Sequence, residues 1–405
     1  MMTADDILDH EIGRLQGFIE NRKIPFIRRV SQSKPALFTI AILVLIFQLR
    51  NFPETLANSS LDAAIAIQKT VQTRSVRMVV IDDQDYSAMF HSRSPLDAAT
   101  LASVLNAIGK GHPRAIVVDI DTSDASFRTM ETPAVPIVWN VSGDEQSDGK
   151  FNLDAPLGGR PLPLGSVAAL AIAPQDERGI VRGYQHTYPL EAGGSIDSPG
   201  FAAARIVTGR APEDPASHRA VTTHFLDYRY LFVPIKARDL VENARSDTWG
   251  NMALFSGQVV VLGGKYRVAR DQYSTPKGLM NGCEIIAQAV AAEIEGTTIS
   301  SASRWLTGLL MIAGGLATLA VYHWLKFRIA FLVSLAMIPG LSIASNWILF
   351  HRFAAWGAMI PLVIAVIVAE LYSKAALYLA FYQRVAALKS PDTSVSDQAP
   401  AASPK

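Results

Sequence analysis

Three uncharged apolar stretches crowd the C-terminal end of the chain and constrain its fold more than any other feature. Trp305 to Trp324 reads WLTGLLMIAGGLATLAVYHW, Ile329 to Phe350 reads IAFLVSLAMIPGLSIASNWILF, and Phe353 to Ala369 reads FAAWGAMIPLVIAVIVA. Crossing a bilayer takes about 20 apolar residues, with a range of roughly 17 to 25, and each stretch qualifies. Pro339 and Pro361 lie inside them, which neighbouring helices tolerate where an isolated helix would break. Trp305, Trp324 and Trp347 lie near the ends, where indole favours the interface. A shorter stretch, PALFTIAILVLIFQL, lies between Lys34 and Arg50, whose long side chains can extend its reach. A leader cleaved after Ala57 is the competing reading. A leader has a short basic start, whereas more than thirty residues precede this stretch, so an uncleaved anchor is expected.

Charge sets the orientation. Arg22, Lys23, Arg28, Arg29 and Lys34 cluster before the first stretch, and positive charge stays on the cytoplasmic side. Four spans then put both termini in the cytoplasm, with Lys326 and Arg328 in a cytoplasmic loop and His351 and Arg352 in an outer one. Everything from 51 to 303 becomes one extracytoplasmic domain, large enough for its own core. Composition agrees with a membrane protein: 49% of residues are hydrophobic and 18% charged, against roughly 25% charged in a typical soluble domain. The net charge of +1 gives no reason to expect nucleic acid as a partner. The single cysteine, Cys283, excludes an intramolecular disulfide and any multi-cysteine zinc site.

Between the spans, strand and helix signals alternate. SVRMVVIDD (Ser75 to Asp83), AIVVDID (Ala115 to Asp121), VPIVWNV (Val135 to Val141) and QVVVLGG (Gln258 to Gly264) are continuous apolar runs. Helical periodicity follows at Leu96 to Ile108 and at Cys283 to Gly296. This pattern predicts an α/β domain with a mostly parallel sheet covered on both faces, beside the α-helical transmembrane segments. In such sheets ligands collect beyond the carboxyl ends of the strands, where Asp82, Asp83, Asp119, Asp121 and the Gly263–Gly264 turn fall.

VVIDD, HPRAIVVDI, DERGIVRGYQHTYPL and FSGQVVVLGGKYRVARDQYSTPKGLMNGCEIIAQ follow one another in that order. In this order they resemble the CHASE family, type two, extracellular sensory domains associated with cyclases and histidine kinases. The resemblance covers about Ser75 to Thr298, and three spans after the domain are also the family's habit. It implies a sensory role, with Asp82, Asp83, Asp119, Gly179, Arg182, Gly263, Asp271, Pro276, Gly282 and Glu284 at matching positions.

The acids Asp82, Asp83, Asp119, Asp121 and Asp271 could hold a cation or a cationic small ligand. Acids also end strands because they hydrogen-bond the turn that follows, and Arg182 and Lys265 could pair with them in an ion network. These seven residues are the candidate ligand site. No cofactor, metal ligand or catalytic residue is assigned, and the chain is expected not to be an enzyme. Asp119-x-Asp121 at a strand end resembles the start of a haloacid dehalogenase-like phosphohydrolase. That chemistry also needs a Lys and a Gly-Asp-x-x-x-Asp, and GGKYRVARD offers Lys265 and Asp271 at the wrong spacing. The lone glycine pair lacks the Gly-Lys-Ser/Thr of a phosphate loop.

The layout expected is a cytoplasmic segment at 1–34 with an amphipathic helix, then a span at 35–50 and the outer domain at 51–303. Spans at 304–325, 329–350 and 353–370 follow, then a cytoplasmic helix extension and disordered tail at 371–405. Ile7, Leu8, Ile12, Leu15 and Ile19 recur near helical spacing behind a Thr3 cap, which suits either a partner or membrane surface or packing within the chain. AGGLA at Ala313 to Ala317 permits close helix approach, within the chain or in a homodimer. The 371–405 tail is expected to carry no output domain. The function expected is therefore an inner-membrane sensor subunit that passes a signal to a separate cytoplasmic protein partner. A structural subunit of an envelope complex is the alternative. Membrane lipid, a protein partner and an unidentified small ligand are the partners expected.

Overall fold

The computed structural model describes residues 54–210, 223–246, 253–301 and 304–325, scattered positions between 329 and 350, and the pair Ala355–Trp356. The chain divides into two compact units, one formed by Thr55–Ala302 with Trp347–Gly357. In chain order that unit opens with α1 (Glu54–Ala66), β1 (Val71–Gln72), β2 (Val76–Ile81), α2 (Asp83–Ala88), α3 (Ala98–Lys110) and β3 (Ala115–Asp119). It continues through β4 (Ile137–Val141), β5 (Gly143–Glu145), β6 (Phe151–Leu153), β7 (Val167–Leu170), β8 (Gly183–Gln185), β9 (Thr187–Pro189) and β10 (Ser195–Asp197). Then come α4 (Pro199–Thr208), β11 (Thr223–Phe225), β12 (Tyr230–Leu231), β13 (Ile235–Lys236), α5 (Ala237–Ala244) and β14 (Val259–Gly264). The hairpin β15 (Gln272–Thr275) and β16 (Gly278–Asn281) leads into α6 (Gly282–Glu295) and β17 (Ile299–Ser301). Arg304–Trp324 is α7, in the second unit, and Ala355–Trp356 is β18, in the first.

Six strands form the central sheet in the order β13-β2-β14-β3-β4-β7, and every pairing in it is parallel. The apolar runs dictate this. Both faces of such a strand must be covered, so successive side chains enter two different cores. Val76, Met78, Val80, Val117 and Val261 pack with α1, α4 and α6 on one face. Val79, Ile81, Val118, Trp139 and Leu262 pack with α3 and α5 on the other. Asp97 caps α3 by accepting from the Thr100 N–H at 2.8 Å. Asn281 and Glu284 cap α6 reciprocally, with the Asn281 N–H donating to Glu284 at 3.0 Å. Gly263, next to the end of β14, stands where a Cβ would run into the Cys283 side chain, so glycine there lets the sheet meet the start of α6.

A second sheet, in the order β18-β17-β11-β8, lies in the same unit. The start of the expected 353–370 span thus pairs as a strand: Ser300 and Ser301 of β17 match Ala355 and Trp356 of β18. Helix α7 covers the expected 304–325 span. Among the described residues, no helix is long and apolar enough to cross a membrane. The expected span at 35–50, the N-terminal amphipathic helix, the 371–405 tail and most of 329–350 and 353–370 lie outside the described residues.

Candidate functional site

Beyond the carboxyl ends of β3 and β7, a cleft of about 70 Å³ lies between α4 and α6. Asp119, the last residue of β3, lines it together with Asp271, which precedes β15. The Asn140 amide on β4 donates to Asp119 Oδ1 at 2.9 Å. Burial pushes the Asp119 carboxyl up to about 7, opposed by the Asn140 bond and helped by the neighbouring Asp271 charge. Burial also raises Asp271, partly offset by hydrogen bonds from the Tyr273 hydroxyl and the Gly282 N–H. Gly282 has a steric role here, because a Cβ at that position would strike the Asp271 carboxylate. Tyr273, pushed up to about 12 by burial and by Asp271, stays a neutral donor. Two part-exposed carboxyls without a cationic partner among the described residues thus line one cleft.

Of the seven candidate ligand residues, the structure brings together Asp119 and Asp271. Asp82 caps α2, accepting from the Asp85 N–H at 2.9 Å, and pairs with Lys236 at 2.9 Å. Asp83 accepts from the Arg267 N–H at 2.8 Å at the surface. Asp121 is exposed and accepts from the Ser123 N–H at 2.9 Å, a local turn bond. Lys265 pairs with Glu284 at 2.9 Å. Arg182 is buried away from the cleft, where it binds Asp62 of α1 at 2.6 Å and also Asp176. Among the described residues, no group of three or more His, Cys, Asp or Glu is placed to hold a metal ion.

Several cleft residues carry no signal in the sequence. Ser198, 2% exposed, lines the wall, and its hydroxyl has no hydrogen-bond partner among the described residues. Tyr184 of β8 also lines the cleft, and its hydroxyl donates to Glu293 on α6. Glu293 is buried, bonded to His186 at 2.7 Å and to Arg210 at 3.2 Å. Burial pushes the Glu293 carboxyl up, but His186, Tyr184 and His224 outweigh it and hold it below the usual range. The His186 ring stacks on His224 at 3.6 Å and on Phe201 at 4.3 Å. One hint was available: Glu293 falls four residues after Ala289, on the apolar face of α6, where an acid must find partners.

The family model that describes the CHASE2 domain matches residues 38–321. No curated protein and no solved structure matches the chain.

Proposed function

The chain belongs to the CHASE2 domain family, and from that premise we propose that it is a membrane-bound extracytoplasmic sensor subunit acting on a separate cytoplasmic partner. One row of residues across the second sheet carries the reading. Tyr184 of β8, a wall of the cleft, pairs with His224 of β11. His224 pairs with Ser300 of β17, and Ser300 with Ala355 of β18. Strand β17 ends at Ser301 and α7 begins at Arg304, so occupancy of the cleft has a short hydrogen-bonded route to the chain that enters the first C-terminal span. The pairing of β17 with β18 also supports the topology. The stretches 304–325 and 329–350 separate these strands in sequence, and two crossings, out and back, return the chain to the domain. Trp305, Leu306, Leu309, Ile312, Leu316 and Trp324 are exposed on α7, apolar surface that suits lipid or other helices.

The cleft favours a ligand site over phosphohydrolysis. A phosphatase of the Asp-x-Asp type needs both acids at the reacting phosphorus, whereas Asp119 lines the cleft and Asp121 is exposed and holds a turn. Reporter fusions test the orientation: a reporter active only in the cytoplasm should work at residue 1 and residue 405 and fail when inserted near Gly149. Activity near Gly149, or silence at residue 1, overturns the sensor reading.

A further inference from the structure

The two ends of the cleft differ in polarity. Gly282 and Ala289 both line it from α6, and seven residues of helix separate them by about 10 Å. At the Gly282 end stand Asp119 and Asp271, whose carboxyls have the Asn140 amide and the Tyr273 hydroxyl as neutral side-chain donors. Lys265, the basic candidate from the loop before Asp271, is taken by Glu284. Two such carboxyls, side by side and without a cation among the described residues, favour a proton or a bound cation over standing charged together.

At the Ala289 end α4 begins. Gly200 lies so close to α6 that a Cβ there would come within 2.8 Å of the Ala289 side chain. Ser198 occupies the cap position but makes no side-chain capping bond, and its buried hydroxyl is without a partner among the described residues. Pro199 has no N–H, and the first-turn N–H groups of Gly200 and Phe201 have no acceptor within the helix. An unused hydroxyl beside a helix N-terminus favours an anion or a strong acceptor. Ile172, Leu226, Ile285 and Ile286 line the stretch between the two ends. Ile172 and Ile286 are part-exposed, so the cleft opens to solvent on that side.

We propose that the cleft binds a small zwitterion, an amino acid. Its ammonium sits at Asp119 and Asp271, and its carboxylate sits at the Ser198 hydroxyl and the first turn of α4. The inference rests on the sensor reading and names the class of molecule sensed. Size limits the choice: the cleft's 70 Å³ is about half of the ~150 Å³ that holds a benzene ring, so the ligand is among the smallest amino acids, with part of it reaching the open side by Ile172 and Ile286.

The test is calorimetric titration of the full chain in nanodiscs at pH 8 with glycine and β-alanine, against propylamine and propionate as single-ended controls. At least one zwitterion should bind ten-fold or more tightly than either control. Asp119→Asn should weaken zwitterion binding at least ten-fold. Ser198→Ala, a small change in a chain that keeps its thermal transition, should weaken zwitterion binding while leaving propylamine unchanged. Zwitterions that bind no better than propylamine, or binding indifferent to both substitutions, overturn the proposal. Either failure leaves the sensor reading standing, because that reading falls only with the reporter fusions.

Discussion

Asp119 shows how one residue's surroundings set its behaviour. Its folded carboxyl titrates near 7 because burial penalises the charged form, while in the unfolded chain it titrates near 3.9. A raised acid favours the folded state fully only below the unfolded value. Stability should therefore fall as pH rises from about 4 and level off above about 7. Asp119→Asn keeps an acceptor for Asn140 and removes the charge. Thermal melts should show a variant more stable than the parent above pH 7, by about 2–4 °C for each kcal/mol recovered, with the difference shrinking toward pH 4. A variant that loses stability at pH 8 would contradict the burial account. Arg182 is the opposite case, a buried cation fully paired with Asp62 and Asp176. Arg182→Met takes the buried partner from both acids and leaves them to Arg178 at 3.5 Å; it should cost about 1–3 kcal/mol, read as a lower denaturant midpoint with an unchanged slope.

Elements were legible in the sequence where their apolar pattern was long. β2, β3, β4 and β14 are continuous apolar runs because both faces of the sheet are covered, and the segments that announced them contain the observed strands. The helix signals at Leu96 to Ile108 and Cys283 to Gly296 match α3 and α6 within two residues. The β8-β11-β17-β18 sheet was not legible, because strands of two or three residues show no period. The site divides the same way. Asp119 stood out as an acid at a strand end and Asp271 as a position matched by the family resemblance, but Asp82 and Asp121 look like Asp119 in sequence, and only packing sorts a cap from a cleft residue. Ser198 and Tyr184 acquire their roles from α6, distant in the chain. The junction of β14 and α6 offers an element-scale test: Gly263→Ala drives a methyl into Cys283 and should cost about 1–3 kcal/mol. Gly149→Ala meets open space, so its cost comes from the positive φ of 77° alone and should be about 1–2 kcal/mol.

At the scale of the whole molecule, function depends on coupling. A parallel sheet covered on both faces is rigid, and its strand ends hold the cleft; the second sheet joins the cleft wall to the chain entering α7. Tyr184 belongs to both, since it lines the cleft, bonds Glu293 and starts the row through His224 and Ser300. Removing its hydroxyl should loosen Glu293, which loses one of the bonds holding its charge in the interior. Hydrogen exchange of the full chain in nanodiscs, comparing the parent with Tyr184→Phe, tests this coupling most directly. Faster exchange should appear in β8 and α6, and also in Phe225 and at Ile299–Ser301. Exchange that changes in β8 and α6 while Ile299–Ser301 stays as in the parent would contradict the account.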